Sequence, residues 1–405
     1  MKTPSSNLRA LFACFVMLTA CSQTPGLSRL QYAPSIDPSH KASPLSLHYV
    51  SLYSFGADPD GREPAASVFH QGDHPIYGTT VYGGAHGDGS VFSYSGGTDA
   101  VLHSFNGIDG ARPFAGLIDV SGTLYGTTRS GGRGNCVGGC GVVFSIKADG
   151  TVKVLHDFGV ASSDGTHPEA NLTDVSGTLY GTTLEGGARD LGTAYSITTD
   201  GTERVLHSFG YYEDGYWPMA PLIDVSGTLY GTTYAGGAGK VGTVFSMTTD
   251  GTEKVLHGFS SGQDGKYPRA PLIDVNGKLY GTTESGGAFR GGTVFDISTG
   301  GSETVRHSFG NGYDGANPEA GLRDVNGTLY GTTAYGGAYG STYNQQGFGT
   351  VFSITPDGYE TVLHSFGNGY DGAHPAAGLR DVSGTGLVGT TRYGGAYGRG
   401  TVFKL

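Results

Sequence analysis

Histidine and aspartate recur at fixed positions along the chain and could provide acid–base chemistry. One recurring phrase contains a histidine, and Tyr53 occupies that place once. The histidines are His103, His156, His207, His257, His307 and His364, and the aspartates that recur with them are Asp119, Asp174, Asp224, Asp274, Asp324 and Asp381. Such a pair can transfer protons. A single active site must use residues that differ between copies, so we interpret both series as structural hydrogen-bonded clasps and predict no catalytic residue.

A second series of aspartates precedes glycine in the loops between copies. Its members are Asp60, Asp109, Asp164, Asp214, Asp264, Asp314 and Asp371. Calcium takes six or more oxygen ligands in one place, and only Asp58 and Glu213 add a nearby carboxylate. Aspartate before glycine is also typical of turns. We therefore predict no cofactor and no metal site, with calcium in these loops as the alternative.

Aromatic residues distinguish the copies from one another. The last two copies are rich in tyrosine, and the single tryptophan lies in a loop between copies. Exposed rings beside polar side chains suit the recognition of sugar rings or of a protein partner. The hypothetical ligand-binding residues are Trp217, Tyr335, Tyr339, Tyr343, Arg392, Tyr393 and Tyr397. The alternative is that these rings pack on neighbouring copies.

All of these residues belong to a tandem repeat. The tag Tyr-Gly-Thr-Thr begins at Tyr77, Tyr125, Tyr180, Tyr230, Tyr280 and Tyr330, and Val388 replaces the tyrosine in a seventh copy. The intervals are 48, 55, 50, 50, 50 and 58 residues. A period of this size is typical of supersecondary units that bury their apolar faces by stacking.

Each copy contains strand-like segments joined by turn signals such as Ser226-Gly227 and Asp250-Gly251, with no helical period of apolar residues. Four antiparallel strands in sequence form a propeller blade. The last copy supplies only three strands, and the segment His48–Phe55 resembles the missing fourth. We therefore predict an all-β, seven-bladed β-propeller over residues 47–405, with the N-terminal strand closing the last blade.

Loop lengths predict two different faces. The loops ending in Asp-Gly-x-x-Pro between blades and those beginning x-x-Gly-Gly within blades are longer than the Ser-Gly and Asn-Gly turns. In a four-stranded meander both sets of longer loops emerge on one side, which we call the long-loop face. A ligand site is expected there.

The first 21 residues have the features of an export signal. Lys2 and Arg9 precede an apolar stretch too short to span a bilayer, and Leu18-Thr19-Ala20-Cys21 resembles a bacterial lipobox. We predict lipidation at Cys21, with an ordinary secretory signal as the alternative. Residues 22–46 are rich in serine and proline and predict a flexible tether.

Composition and the remaining cysteines restrict the partners. A net charge of -11 argues against binding nucleic acid, which requires a basic surface. Cys136 and Cys140 lie in one loop, and an envelope location favours a disulfide between them over a metal pair.

The recurring phrases Leu-His-Ser-Phe, Asp-Gly-x-x-Pro, Leu-Tyr-Gly-Thr-Thr and Gly-Thr-Val-Phe resemble the tandem repeat of the gloeo/verruco (GloVer) family over residues 48–405. The sequence departs from that pattern at Val68-Phe69-His70 and Asp73 and at Gly386-Leu387-Val388. The resemblance implies a fold and an envelope location, and it implies no particular reaction.

Together these features favour a lipid-anchored, non-catalytic propeller of the bacterial envelope, periplasmic or surface-exposed and monomeric. Its long-loop face would bind an envelope protein or a glycan. The alternative is a carbohydrate-active enzyme, a hydrolase or a lyase, that uses acidic or basic residues near the channel mouth and unique to some blades. A third hypothesis is a structural spacer without a ligand.

Overall fold

The computed structural model describes residues 48–405 except 57–58, 71, 73, 211–212, 261, 340–346, 368–369 and 383–385. Within these ranges the chain is all-β and forms no helix long and apolar enough to cross a membrane. The predicted signal segment, with Cys21, and the predicted tether lie outside the described residues, as does Tyr343.

The longer strands form the seven predicted blades, and the fold prediction is confirmed. In the loops, Gly61–Arg62 pairs with Tyr82–Gly83, and Gly165–Thr166 pairs with Glu185–Gly186. Six blades are four-stranded antiparallel sheets in which the strands follow one another from the centre outwards. The first blade has three strands, and its inner position is held by a single bridge between Phe69 and Tyr77. The departure at Val68-Phe69-His70 therefore shortens the inner strand without removing the blade.

Strand bounds repeat from blade to blade. The innermost strands are Ile118–Val120, Thr173–Val175, Ile223–Val225, Ile273–Val275, Arg323–Val325 and Arg380–Val382. The second strands are Ile76–Thr80, Thr123–Thr128, Thr178–Thr183, Thr228–Thr233, Lys278–Thr283, Thr328–Thr333 and Gly386–Thr391. The third strands are Ser90–Ser95, Val142–Ile146, Thr193–Thr198, Thr243–Thr248, Thr293–Ser298, Thr350–Ile354 and Thr401–Lys404. The outer strands are Thr98–Ser104, Val152–Asp157, Glu203–Ser208, Glu253–Gly258, Glu303–Ser308, Glu360–Ser365 and, for the last blade, Val50–Ser54.

Closure of the ring uses the N-terminal strand as predicted. Val50–Ser54 pairs antiparallel with Thr401–Lys404, so the last blade combines both ends of the described chain. Pairing in this way leaves no gap between the last blade and the first, and it covers a sheet edge that would otherwise be exposed.

Two-residue hairpins join the first and second strands of most blades. Ser121 and Gly122 both have positive φ angles, 54° and 83°, and Val120 pairs with Thr123 across them. Positive φ at both central residues is the geometry of a type I′ turn, which matches the twist of the flanking strands. These tight turns define the face opposite the long-loop face.

Aromatic rings fill the space between blades. The phenylalanine that ends each outer strand is fully buried and packs edge-on against a ring on the third strand of the next blade. Phe209 contacts Phe245 with centroids 5.2 Å apart, and Phe55 contacts Phe92 at 5.1 Å across the closing seam. Edge-to-face pairs contribute about 0.5–1.5 kcal/mol each beyond their buried area.

Packing and hydrogen bonding explain why glycine and threonine occupy their positions in the tag Tyr-Gly-Thr-Thr. A Cβ on Gly231 would lie 2.6 Å from the Phe245 Cζ atom, so the ring requires a glycine below it. In six copies the first threonine donates a hydrogen bond across to the next blade, as from Thr79 Oγ1 to the Ala115 carbonyl at 2.8 Å. Thr390 makes the same bond to Ala66 at 3.2 Å and so joins the last blade to the first.

Candidate functional site

A central cavity of about 750 Å³ lies between the inner strands and is lined by residues of all seven blades. A cavity volume of this size is typical of pockets that bind small molecules. The long loops flank one end of it. Their backbones pair with each other within a blade, for example Ala111 with Ser130 and Ala373 with Tyr393, which places both loop sets on one face as predicted.

The inner segments of all seven blades line this cavity. Their leucines, such as Leu222 and Leu322, have almost no exposed surface. The residue after each loop proline forms a mouth level at the long-loop face: Ala65, Phe114, Glu169, Met219, Arg269, Glu319 and Ala376. Four residues further along the chain, a far level is formed by Phe69, Ile118, Thr173, Ile223, Arg323 and Arg380.

Ion pairs connect the charged residues of the mouth level. Arg129 Nε lies 2.8 Å from Glu169 Oε1. Arg269 lies 3.3 Å from Glu319 Oε2 and 3.7 Å from Glu284 Oε2. The type of residue at each of these positions differs from blade to blade, so these residues break the symmetry of the ring.

These ion pairs leave hydrogen-bonding capacity at the mouth. Arg129 Nε, Glu284 Oε2 and Glu319 Oε2 are buried atoms with close opposite charges but no aligned hydrogen bond to any described residue. These atoms have almost no solvent-exposed surface, so a ligand hydroxyl would bond to them only after the side chains shift toward the cavity.

Burial controls the protonation of the mouth carboxyls. It raises the pKa of Glu169, although the charges of Arg129, Arg269, His167 and Arg392 oppose the rise. Burial likewise raises the pKa of Glu284 against the opposing charge of Arg269. The neutral forms of these carboxyls are therefore more accessible than in an exposed glutamate.

The predicted ligand-binding residues divide into separate groups. Arg392 lines the cavity. Tyr335 and Tyr393 lie beside His374, with centroids 4.8 and 5.7 Å away, and both rings remain about 40% exposed. Burial lowers the pKa of His374. The sequence left open whether these rings are exposed to a ligand or pack on neighbouring copies. In this cluster both hold, because the rings pack across a blade boundary and still face solvent.

The other predicted aromatics lie apart from that cluster. Trp217 contacts Tyr216 with centroids 5.0 Å apart. Tyr339 and Tyr397 are exposed, and Tyr339 lines a second cavity of about 490 Å³ together with Tyr49 and His364. A stacked pair that the sequence did not single out, Tyr234 and Tyr267, has centroids 4.9 Å apart.

The histidine series makes clasps, but with a different aspartate series from the one paired with it above. Each histidine contacts the aspartate of the following Asp-Gly loop at 2.9–3.6 Å, and Tyr53 donates to Asp60 at 2.8 Å. The same carboxylates accept backbone N–H groups within their loops, as Asp164 does from Gly159 at 2.9 Å. The loop aspartate therefore fixes its turn and the neighbouring outer strand together.

The inner-strand aspartates serve the tight hairpins instead. Asp174, Asp224 and Asp324 each accept the backbone N–H three residues later at 2.9 Å. This is the local hydrogen bond that aspartate commonly makes in turns. The pairing of the two series suggested by their equal periods was wrong, because a fixed period does not determine which members of two series meet.

Two groups of side chains in the described part of the chain could hold a metal ion. They are His156, Asp164 and Glu203, and His207, Asp214 and Glu253, whose ligand atoms lie within 4.8 Å of one another. Both sit at blade seams, where the histidine and aspartate already form the repeated clasp. In the loop of the second blade, Cys136 and Cys140 form a disulfide.

Sequence reasoning missed the residues of the cavity wall. Glu169, Arg269 and Glu319 follow the loop proline, and Arg323 and Arg380 replace an apolar residue before the inner-strand aspartate. The signal was present: the residue after each loop proline and, in most blades, the residue before the inner-strand aspartate line the cavity, and comparing copies shows which of them vary.

Comparison with known proteins supports the fold. The model of the Gloeobacter/Verrucomicrobia repeat family matches residues 40–176 and 134–344. A putative 6-phosphogluconolactonase from Bacteroides uniformis is similar, with a TM-score of 0.51 and 16% identity over 79% of this chain and 90% of that one. An ancestral GH74 enzyme has a TM-score of 0.54 and 12% identity over 85% of this chain and 48% of its own. No curated protein matches the sequence.

Proposed function

The chain belongs to the Gloeobacter/Verrucomicrobia repeat family, and we propose that it is a non-catalytic binding module that takes a saccharide into the long-loop end of its central cavity. The lipobox-like segment ending at Cys21 and the serine- and proline-rich stretch after it support a lipid-anchored place in the bacterial envelope. There the propeller would meet glycans close to the membrane that carries it.

The observation that carries this proposal is the charged network at the mouth level. Glu169, Arg269 and Glu319 are fixed by neighbouring charges and face a cavity large enough for a small saccharide. A shift of the Glu319 or Glu284 side chain would bring an oxygen that has no aligned hydrogen bond to a described residue within reach of a sugar hydroxyl. A site built to hydrogen-bond hydroxyls discriminates strongly against ligands without them, since its polar groups would then stay unpaired.

Aromatic side chains near the same end support a sugar ligand further. The Tyr234–Tyr267 stack and the Tyr335–His374–Tyr393 cluster lie on the long loops. Partly exposed rings of this kind combine an apolar face with a polar edge, which suits the faces of a sugar ring.

A thermal-shift panel of the full-length protein against neutral and acidic oligosaccharides tests the proposal. A ligand at a hundred times its dissociation constant should add about 2.7 kcal/mol of stability. Glu319→Gln and Glu169→Gln should weaken binding about tenfold each, the loss expected for one hydrogen bond to a charged group. Glu213→Gln, an exposed residue on the same face, is the matched control. Equal shifts in all variants would contradict a site at the mouth, and a protein partner would then be sought by cross-linking.

A second function, a carbohydrate-active enzyme, is favoured by one observation. Two buried carboxyls face one cavity in different surroundings: the pKa of Glu169 is raised by burial, and Glu319 lies against Arg269. Carboxyls with different environments can divide acid and base roles in sugar chemistry. Recovery of a bound oligosaccharide unchanged after long incubation would support the binding module. Cleavage that Glu169→Gln abolishes would establish the enzyme instead.

A further inference from the structure

Two arginines stand side by side at the far level of the cavity. Arg323 and Arg380 begin the inner strands of the last two blades, where other blades have Ile118, Thr173 or Ile223. Both line the cavity together with Phe69 of the first blade. The substitution of arginine for an apolar residue occurs only in these two neighbouring blades, so it is local and not part of the repeated scaffold.

Neither guanidinium forms an ion pair with a carboxylate of the described residues. Among the residues that the structure describes, no ion pair within 4.0 Å includes Arg323 or Arg380, and Arg323 Nε is buried without a hydrogen-bond acceptor. Asp324, next in sequence to Arg323, accepts a hydrogen bond from the Gly327 N–H at 2.9 Å.

The two positive charges also act on each other. Burial lowers the pKa of Arg380, and the charge of Arg323 lowers it further. The charge of Asp381 acts in the opposite direction and raises it. The Arg380 guanidinium lies over the Phe69 ring, with its Cζ atom 5.9 Å from the ring centroid. Like charges held together at a half-buried position are destabilising unless an anion joins them, and two guanidiniums offer paired donors for one.

We propose that Arg323 and Arg380 form an oxyanion site, and that the saccharide bound in this cavity is an acidic one whose carboxylate or sulfate group is held there. This inference rests on the proposed saccharide function and adds the class of the ligand. The far level and the mouth level are formed by different residues of the same cavity wall. The ligand would therefore place hydroxyls at the mouth network and its acid group at the arginine pair.

Calorimetric titration of the full-length protein with an acidic oligosaccharide, its neutral counterpart and inorganic sulfate tests this proposal. The acidic ligand should bind at least about tenfold more tightly than the neutral one, and the difference should shrink as salt is raised. Arg323→Gln and Arg380→Gln should each remove most of that difference. Arg204→Gln, on an exposed outer strand, should leave it unchanged.

The outcomes separate this proposal from the function on which it rests. If acidic and neutral oligosaccharides bind equally and both arginine variants are silent, the oxyanion site is overturned while saccharide binding stands. If only inorganic sulfate binds and the variants abolish it, the saccharide is overturned and a free oxyanion takes its place. Should a glutamine variant fail to fold, Arg323→Lys and Arg380→Lys keep the charge but lose the paired donors. They should bind the acidic ligand more weakly than the wild type and still more tightly than the neutral one, and unchanged affinity would overturn the site.

Discussion

Five carboxyl groups at the seams between blades have raised pKa values, which make the stability of the fold depend on pH. Asp99, Glu203, Glu253, Glu303 and Glu360 occupy equivalent places on the outer strands, and each has one buried oxygen without a hydrogen bond in the described structure. Burial, together with the loop aspartate of the preceding blade, raises the pKa of each to about 7. The fold therefore retains protons there that an unfolded chain would release.

The pH dependence of stability follows from these groups. Unfolded glutamate loses its proton near pH 4.5, whereas folded Glu303 keeps it until about pH 7. The folded state binds more protons across this window, so stability falls as pH rises from about 4.5 to about 7 and levels off above it. Glu303→Gln should flatten part of this fall, measured as melting temperature against pH by circular dichroism. Parallel profiles for the variant and the wild type would refute the assignment.

Residue periods predicted some contacts and not others. The equal spacing of His207 and Asp224 suggested a pair, but His207 meets Asp214 because the loop returns it to the outer strand. The cavity arginines were not predicted, because the predicted ligand site was based on aromatic residues and loop insertions. Of the predicted ligand residues, Arg392 lies in the cavity, while Tyr335, Tyr339, Tyr393 and Tyr397 line the loops around it.

The second strand of each blade carries the tag Tyr-Gly-Thr-Thr or, in the last blade, Val-Gly-Thr-Thr. Its glycine determines how closely this strand approaches an aromatic ring of the third strand. This glycine lies against that ring in every blade, as Gly231 lies against Phe245. The sequence predicted the strands well, because alternating apolar residues and Ser-Gly or Asn-Gly turns are local signals. It could not predict the ring above the glycine, which comes from the neighbouring strand.

Substitution of that glycine tests the packing directly. In Gly231→Ala the new Cβ would lie 2.6 Å from Phe245 Cζ and 2.8 Å from Leu222 Cδ2. Overpacking of this kind costs about 1–3 kcal/mol, which chemical denaturation would report as a lower midpoint with an unchanged slope. Gly300→Ala is the control, since its Cβ would meet nothing closer than 3.7 Å. A stability of Gly231→Ala within about 0.5 kcal/mol of the control would contradict this account.

For the whole molecule, closure turns seven similar units into one ring with a single asymmetric interior. The seams are nearly identical, from Phe55 and Phe92 at the closing seam to Phe209 and Phe245. The symmetry supplies stability, and the variable cavity positions supply specificity. The sequence predicted the ring because its copies are alike, and it concealed the candidate site because that site consists of the few positions where they differ.

Hydrogen exchange with and without an acidic oligosaccharide that binds tests most directly whether the ligand lies in the central cavity. We expect slower exchange in the inner segments 169–175 and 319–325, with no change in the outer strand Glu203–Ser208, because the ligand lies between the inner strands and holds them in place. Protection confined to the loops around Tyr335 and Tyr393, with the inner segments unchanged, would contradict a ligand in the central cavity.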